Sequence, residues 1–179
     1  MSKAFRYGLF FLIPLVILLD QWSKSLILQE PVFNALACLP PPSEGGIGCG
    51  RIDVSAIFDL SMVWNRGVSF GVGQSEGILR WVLVVFQLGI AIGFAAWLLK
   101  ATRRWTGIGL ALVVGGAIGN VIDRVRFGAV VDFLDFSGLH FIWVFNVADA
   151  AISVGAVLLF IDQFLMSRSK SSAGTETET

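Results

Sequence analysis

Gly115-Gly116-Ala117-Ile118-Gly119-Asn120-Val121-Ile122-Asp123-Arg124 closes an apolar run that begins near Trp105, and its reading decides the fold. The run is close to the roughly 20 mostly apolar residues that a helix needs to cross a bilayer. Asn120 and Asp123 stand three apart, so they share one face of that helix. Gly115 and Gly119 form a small-x-x-x-small ridge against which another helix can pack closely. An amide and a carboxylate at membrane depth are costly unless paired or facing water, which makes this segment a candidate site.

Working outward, three further apolar runs predict an all-α membrane protein with spans at about 5–28, 78–99, 105–123 and 146–166. The composition agrees: 55% of the 179 residues are hydrophobic and 15% charged, with mean hydropathy +0.77. Soluble domains carry about 25% charge. The formal net charge is zero, which argues against a nucleic-acid partner and leaves the lipid bilayer as the expected surroundings. The first run has basic residues ahead of it (Lys3, Arg6) but no small-residue cleavage site after it, so it is expected to be retained.

Basic residues mark the cytoplasmic side. Lys3 and Arg6, then Lys100, Arg103 and Arg104, then Arg168 and Lys170 all fall on one side of four spans. Both termini are therefore expected in the cytoplasm, with residues 30–77 and the third connection outside. Trp22, Trp81 and Trp143 sit near the expected outer ends, and Trp97 and Trp105 near the inner ends, as interfacial anchors do. Residues 1–166 form the expected membrane domain, and the Ser/Thr-rich stretch 167–179 reads as a disordered cytoplasmic tail. Cys38 and Cys49 share the outer loop; they either pair in an oxidising compartment or remain thiols, and spacing does not decide. Gly45-Gly46 through Gly50 lacks the strand-to-helix context of a dinucleotide fingerprint.

The fourth span opens with Phe145-Asn146-Val147-Ala148-Asp149, repeating the Asn-x-x-Asp spacing. Asp123 ends an outgoing helix and Asp149 begins an incoming one, so both carboxylates are expected just under the outer surface. Two carboxyl groups close together in a poorly hydrated site tend to share a proton. That supplies a base and an acid together, as water attack on a peptide bond requires. Asp20 and Lys24, four apart on the first helix, read as an interfacial ion pair. Asp132, Asp135 and His140 fall in the outer connection, where a solvated loop is the default. One histidine without ligand-spaced partners gives no zinc site. A proton-coupled transporter is the main rival, but it would spread its acids through the bilayer, and only Asp162 lies near the inner end. A structural scaffold would have no need of the paired Asn and Asp.

Gly119-Asn120-Val121-Ile122-Asp123-Arg124 and Phe145-Asn146-Val147-Ala148-Asp149-Ala150-Ala151-Ile152 resemble the catalytic boxes of lipoprotein (type II) signal peptidases. Asp20-Gln21-Trp22-Ser23-Lys24 is similar to that family's first-helix motif. Asn65-Arg66-Gly67-Val68-Ser69-Phe70-Gly71 resembles its outer-loop motif, and Val130-Val131-Asp132-Phe133 its pattern between the boxes. The resemblance implies an aspartic endopeptidase that removes the signal peptide from diacylglyceryl-modified prolipoproteins, cutting N-terminal to the lipidated cysteine. It implies Asp123 and Asp149 as the catalytic pair. Asn65, Gly67, Asn120, Arg124 and Asn146 would line the pocket, and Asp20 and Lys24 would support it. The same likeness implies a bacterial inner-membrane protein acting near its periplasmic face, with no metal or cofactor, and a monomer is expected. It also implies a small periplasmic sheet within residues 30–77, for which Val54 to Trp64 suits a strand. The Pro/Gly-rich stretch Cys38 to Gly50 departs from the family pattern.

Overall fold

The computed structural model describes residues 1–36, 38, 48–67 and 78–175. The insert at 39–47, positions 68–71 of the outer-loop motif and the last four residues lie outside them. Four helices are long and apolar enough to cross a membrane: Lys3–Gln29, Ile78–Lys100, Arg104–Phe127 and Val147–Leu165. The first is a composite of α1 (Lys3–Gly8), a 3-10 turn (Leu9–Phe11) and α2 (Leu12–Gln29). Pro14 accounts for the break, because it has no N–H for the Phe10 carbonyl and its ring crowds that oxygen. A short α3 (Pro31–Ala35) follows, then α4 (Ile78–Lys100), α5 (Arg104–Phe127) and α6 (Val147–Thr175).

Helix α5 is the centre of the bundle. Some 72% of its apolar stretch is buried, against 17–22% in the other three spans, which turn most of their surface to lipid. Its glycines let neighbours approach. A Cβ on Gly119 would stand 2.7 Å from Asp20 Oδ2 and 3.2 Å from Ala148 Cβ, and one on Gly116 would strike the Ala148 carbonyl. Helices α2 and α6 thus meet α5 at the level of the expected site. Helix α5 runs one turn past Asp123 and stops at Gly128, whose left-handed φ of 80° lets its N–H reach the Arg124 carbonyl at 3.1 Å. Asp123, expected at the last turn, therefore stands one turn before the helix end.

Helix α6 continues to Thr175, so residues 167–175 are helical where the sequence suggested a disordered tail. Serine and threonine are moderate helix formers, and a helix already nucleated in the membrane extends through them at little cost. At the end opposite the site, the chain's N-terminus is tied to the α4–α5 connection. The Met1 amino group donates to the Thr102 carbonyl and Arg6 to the Leu99 carbonyl, both at 2.7 Å. There Asp162, fully buried, pairs with Arg103 at 2.9 Å and accepts from the Thr106 hydroxyl.

At the other end sits an antiparallel sheet in the order β1 (Gly48–Asp53), β2 (Asp59–Asn65), β3 (Val130–Asp135), β4 (Val144–Phe145). The strand expected from Val54 begins only at Asp59. Residues 54–58 form the β1–β2 turn instead, closed by the Ser55 N–H on the Phe58 carbonyl and the Val54 N–H on Asp59 Oδ1. Phe33, Cys38, Met62, Trp64, Val131 and Phe133 form a core between α3 and the sheet. Cys38 and Cys49 are joined by a disulfide with Cα atoms 5.5 Å apart, and the Trp64 indole donates to the Cys38 carbonyl. Pairing of Asn65 with Val130 and Val63 with Asp132 lays β3 beside the helix ends.

Candidate active site

Helix α2 contributes a buried charge centre. Lys24 Nζ lies 2.8 Å from Asp20 Oδ2 and 2.7 Å from Asp123 Oδ2, and all three side chains are 2% exposed or less. The i,i+4 pair expected on one helix is thus a three-member bridge between α2 and α5. Asp20 also accepts from the Ala148 N–H at 2.9 Å, which draws in the start of α6. Asp123 is fully engaged: Gln21 Nε2 donates to its Oδ1 at 2.8 Å and the Val131 N–H to its Oδ2 at 3.1 Å. Burying charges is tolerable only when they are paired and hydrogen-bonded to this degree.

Next to that centre lies an amide relay. Asn120 Nδ2 donates to Asp149 Oδ1 at 2.7 Å, while its Oδ1 accepts from Asn146 at 3.2 Å and from Lys24 at 3.4 Å. Asn146 caps α6, its Oδ1 accepting from the Asp149 N–H at 2.9 Å. Its Nδ2 reaches Asp132 Oδ1 at 2.6 Å and the Val131 carbonyl at 3.3 Å. Each asparagine therefore acts on a carboxylate or strand beyond its own helix face: Asn120 serves Asp149, not Asp123. Asn65 completes the set from β2, donating to Asp132 Oδ2 at 3.0 Å and accepting from the Gly67 N–H at 2.8 Å. Gly67 takes a φ of 93°, a conformation that glycine adopts without strain.

Asp132 is the residue that the sequence reading misplaced. It is 1% exposed, not solvated, because the β2–β3 pairing folds it under Asn65 and against Asn146. Burial raises its carboxyl to about 7, and the neighbouring Asp149 pushes the same way. The Asn65 and Asn146 amides and the Lys24 charge pull against that rise. Asp135 is likewise buried, held by the Ser61 hydroxyl at 2.6 Å and the Ser137 N–H at 2.8 Å. His140 lies in the exposed connection, with a left-handed φ of 60°. The signal for Asp132 was present in its flanks, since Val130-Val131 and Phe133-Leu134 make an apolar strand that would bury it.

Arg124, 8% exposed, donates to Gln87 Oε1 at 3.0 Å and to the Asn120 carbonyl at 3.4 Å. It lies in the field of Asp132, Asp149 and Asp123. Beside Asp123 a recess of about 130 Å³ opens between α2 and α5, lined by Gln21, Lys24, Ser25, Gln29 and Arg126 among others. The expected residues Asp20, Lys24, Asn120, Asp123, Asn146 and Asp149 thus join in one network through Lys24 and Asn120, and Asn65 enters it through Asp132, whereas Cys38 and Cys49 lie in the sheet core. Among the described residues no cluster of His, Cys, Asp and Glu suits a metal ion.

Residues 12–165 match the family model described as signal peptidase (SPase) II. The chain is 51% identical over 118 residues to the lipoprotein signal peptidase of Caulobacter vibrioides, covering 65% of this chain and 70% of that protein. It is 38% identical over 153 residues to the lipoprotein signal peptidase of Burkholderia mallei, covering 83% and 82%. A bacterial membrane enzyme solved by the in meso method at 1.9 Å shares the fold, with TM-score 0.70 and 22% identity over 87% of this chain and 92% of that one. A family match spanning all four helices and the sheet, centred on this buried polar network, means that the chain belongs to the signal peptidase II family, as a peptidase held in a bacterial membrane by several spans.

Proposed function

We propose that the chain removes the signal peptide from diacylglyceryl-modified prolipoproteins, cutting N-terminal to the lipidated cysteine, and that Asp132 and Asp149 form the acid pair that activates water. The observation that carries the pair is the placement of Asp132: buried, held by Asn65 and Asn146, and linked through Asn146 and Asn120 to Asp149, with burial raising its carboxyl to about 7. With its carboxyl raised to about 7, a share of Asp132 keeps its proton near neutral pH, while Asp149 is only partly buried and so suited to bind the attacking water. Asp149 takes a proton from that water, which attacks the scissile carbonyl. Asp132 donates to the developing oxyanion, and the pair then protonates the leaving amine. Asp123 is withdrawn from this role by Lys24, Gln21 and the Val131 N–H, which occupy both of its oxygens. Its part is to fix α2 and β3 against α5.

The basic residues gathered at the end that holds the N-terminus support a cytoplasmic position for that end and a periplasmic one for the sheet and the site. The substrate's signal helix then lies among the spans with its lipid in the outer leaflet. Each buried CH₂ of that lipid contributes about 0.8 kcal/mol, which favours modified over unmodified substrate.

A second reading keeps Asp123 as the partner of Asp149, favoured by the recess beside Asp123 that admits water. Separate Asp132→Asn, Asp149→Asn and Asp123→Asn variants, assayed on a diacylglyceryl-modified prolipoprotein in detergent, distinguish the two. The first two are expected to lose about 10²- to 10⁴-fold in rate with the fold retained, while folded Asp123→Asn keeps measurable cleavage. A parental rate in folded Asp132→Asn, with Asp123→Asn inert, transfers the role to Asp123.

A further inference from the structure

Between Trp81 and Trp97, helix α4 carries one polar side chain, Gln87, in an otherwise unbroken apolar run. Gln87 lies nine residues inside the helix start, about 13 Å at 1.5 Å per residue, well below the ends where polar groups reach water. An amide at that depth is costly unless it has a partner. Its partner here is Arg124, whose Nη1 donates to Gln87 Oε1 at 3.0 Å.

Among the described residues Arg124 is a buried cation whose hydrogen bonds all come from one nitrogen, Nη1. Its Nη1 is shared between Gln87 and the Asn120 carbonyl, and its Nε has no hydrogen-bond partner among the described residues. The outer loop presses on it too, since a Cβ on Gly67 would stand 3.6 Å from Arg124 Nη2 and 2.6 Å from Leu83 Cδ1 of α4. The guanidinium thus lies where the outer loop, α4 and α5 meet, within the field of Asp132 and Asp149. A planar fork of donors held by one nitrogen leaves the others in a fixed direction, the arrangement suited to a carbonyl oxygen of an extended peptide.

We infer that Gln87 is a positioning residue of the peptidase, fixing the Arg124 guanidinium so that its unfilled N–H groups meet the substrate backbone beside the scissile bond. This rests on the proposed cleavage reaction, because the backbone in question is that of the prolipoprotein. Helix α4 is then a working wall of the site, although Val82, Val85, Phe86 and Leu88 around Gln87 are exposed on its outer side.

The test uses the full-length enzyme in detergent and a diacylglyceryl-modified prolipoprotein, with kcat/KM taken per folded molecule. Gln87→Leu and Gln87→Met remove the acceptor while keeping bulk, and are expected to lower kcat/KM about tenfold or more, the loss typical of a hydrogen bond to a charged group. Gln87→Glu, which keeps an acceptor for Arg124, stays within about threefold of the parent on the same argument. In an Arg124→Lys background, where the fork is gone, Gln87→Leu changes kcat/KM less than about twofold, because coupled residues share one effect. Parental kcat/KM in Gln87→Leu and Gln87→Met, or an undiminished loss in the Arg124→Lys background, overturns the inference while the cleavage reading stands. An inert parental enzyme sinks the cleavage reading itself, and the role of Gln87 with it.

Discussion

Lys24 makes the most demanding prediction. Its ammonium is 2% exposed and touches two carboxylates, Asp20 at 2.8 Å and Asp123 at 2.7 Å. Lys24→Met removes the cation but keeps the aliphatic stem, leaving both acids buried without it. Stranding a buried charge by deleting its partner costs about 3–5 kcal/mol. Asp123→Asn is milder, because Lys24 keeps Asp20 and the new amide oxygen still accepts from Gln21 or the Val131 N–H; the loss is about 1.5–3 kcal/mol. For a chain of this size each kcal/mol shifts Tm by about 2–4 °C. Lys24→Met should therefore melt about 6–20 °C below the parent and Asp123→Asn about 3–12 °C below it, converting those energies by that slope. Tryptophan fluorescence during heating in detergent gives both values, with cleavage of a prolipoprotein measured below the transition. Refutation is a Lys24→Met protein that melts within about 2 °C of the parent, or one more stable than Asp123→Asn, given the ordering expected for a doubly used cation.

Asp132 predicts a pH dependence of definite sign. Its folded pKa of about 7 lies above the unfolded value of about 3.9, so stability is fully present below about pH 4 and is lost as pH rises to about 7. Asp132→Asn does not titrate, so its Tm should gain on the parent's across that window and level off above it; a constant difference from pH 4.5 to 8.5 argues against the buried, proton-holding carboxyl. Parental cleavage should fall as pH rises through about 7, because the proton donor is lost. The Cys38–Cys49 bridge closes a loop of about a dozen residues and stabilises by about 2–3 kcal/mol. A Cys38→Ala/Cys49→Ala protein should melt lower with kcat unchanged, and the parent should resist thiol labelling until reduced; free labelling of both thiols contradicts the bridge. Gly119→Ala drives a methyl to 2.7 Å from Asp20 Oδ2 and should cost about 1–3 kcal/mol, whereas a parental Tm would mean that α2 and α5 are less closely packed.

What could be read from the sequence followed from local rules. The four spans needed only length and hydropathy, and the matched depth of Asn120-x-x-Asp123 and Asn146-x-x-Asp149 followed from span direction. The Asp20–Lys24 spacing announced a pair on one helix. That the pair has Asp123 as a third member depends on α2 packing against Gly119, across about a hundred residues of chain. Asp132 was hidden by the same kind of distance: its burial comes from pairing with β2, 69 positions upstream of it at Val63. The loop that seemed solvated is a covered strand. Gln87 was open to detection, since a lone amide in an apolar span calls for a partner, but its partner could be named only once α4 and α5 were side by side. The helical 167–175 stretch shows composition overruled by continuity with a nucleated helix.

Charge bookkeeping across the network shows why, on the proposed mechanism, a structurally expensive site is also a reactive one. Among the described residues, three buried carboxyl groups, Asp20, Asp123 and Asp132, and the half-buried Asp149 gather with two buried cations, Lys24 and Arg124. Lys24 is taken by two of the acids, while the described bonds of Arg124 go to Gln87 and a backbone carbonyl, not to a carboxylate. Among these six groups the acids therefore outnumber the ammonium and guanidinium groups. Two like charges about 4 Å apart repel by about 4 kcal/mol at an effective dielectric constant of 20. A proton held on one acid would relieve that repulsion, and Asp132, raised to about 7 by burial first and by Asp149 second, is the group outside the spans suited to hold it. Were Arg124 paired directly with Asp132, the guanidinium would favour the ionised carboxylate, and the proposed mechanism would lose its proton donor to the oxyanion. On the proposed mechanism, a guanidinium directed to Gln87 and not to Asp132 suits a carboxyl group on β3 that burial has raised to about 7.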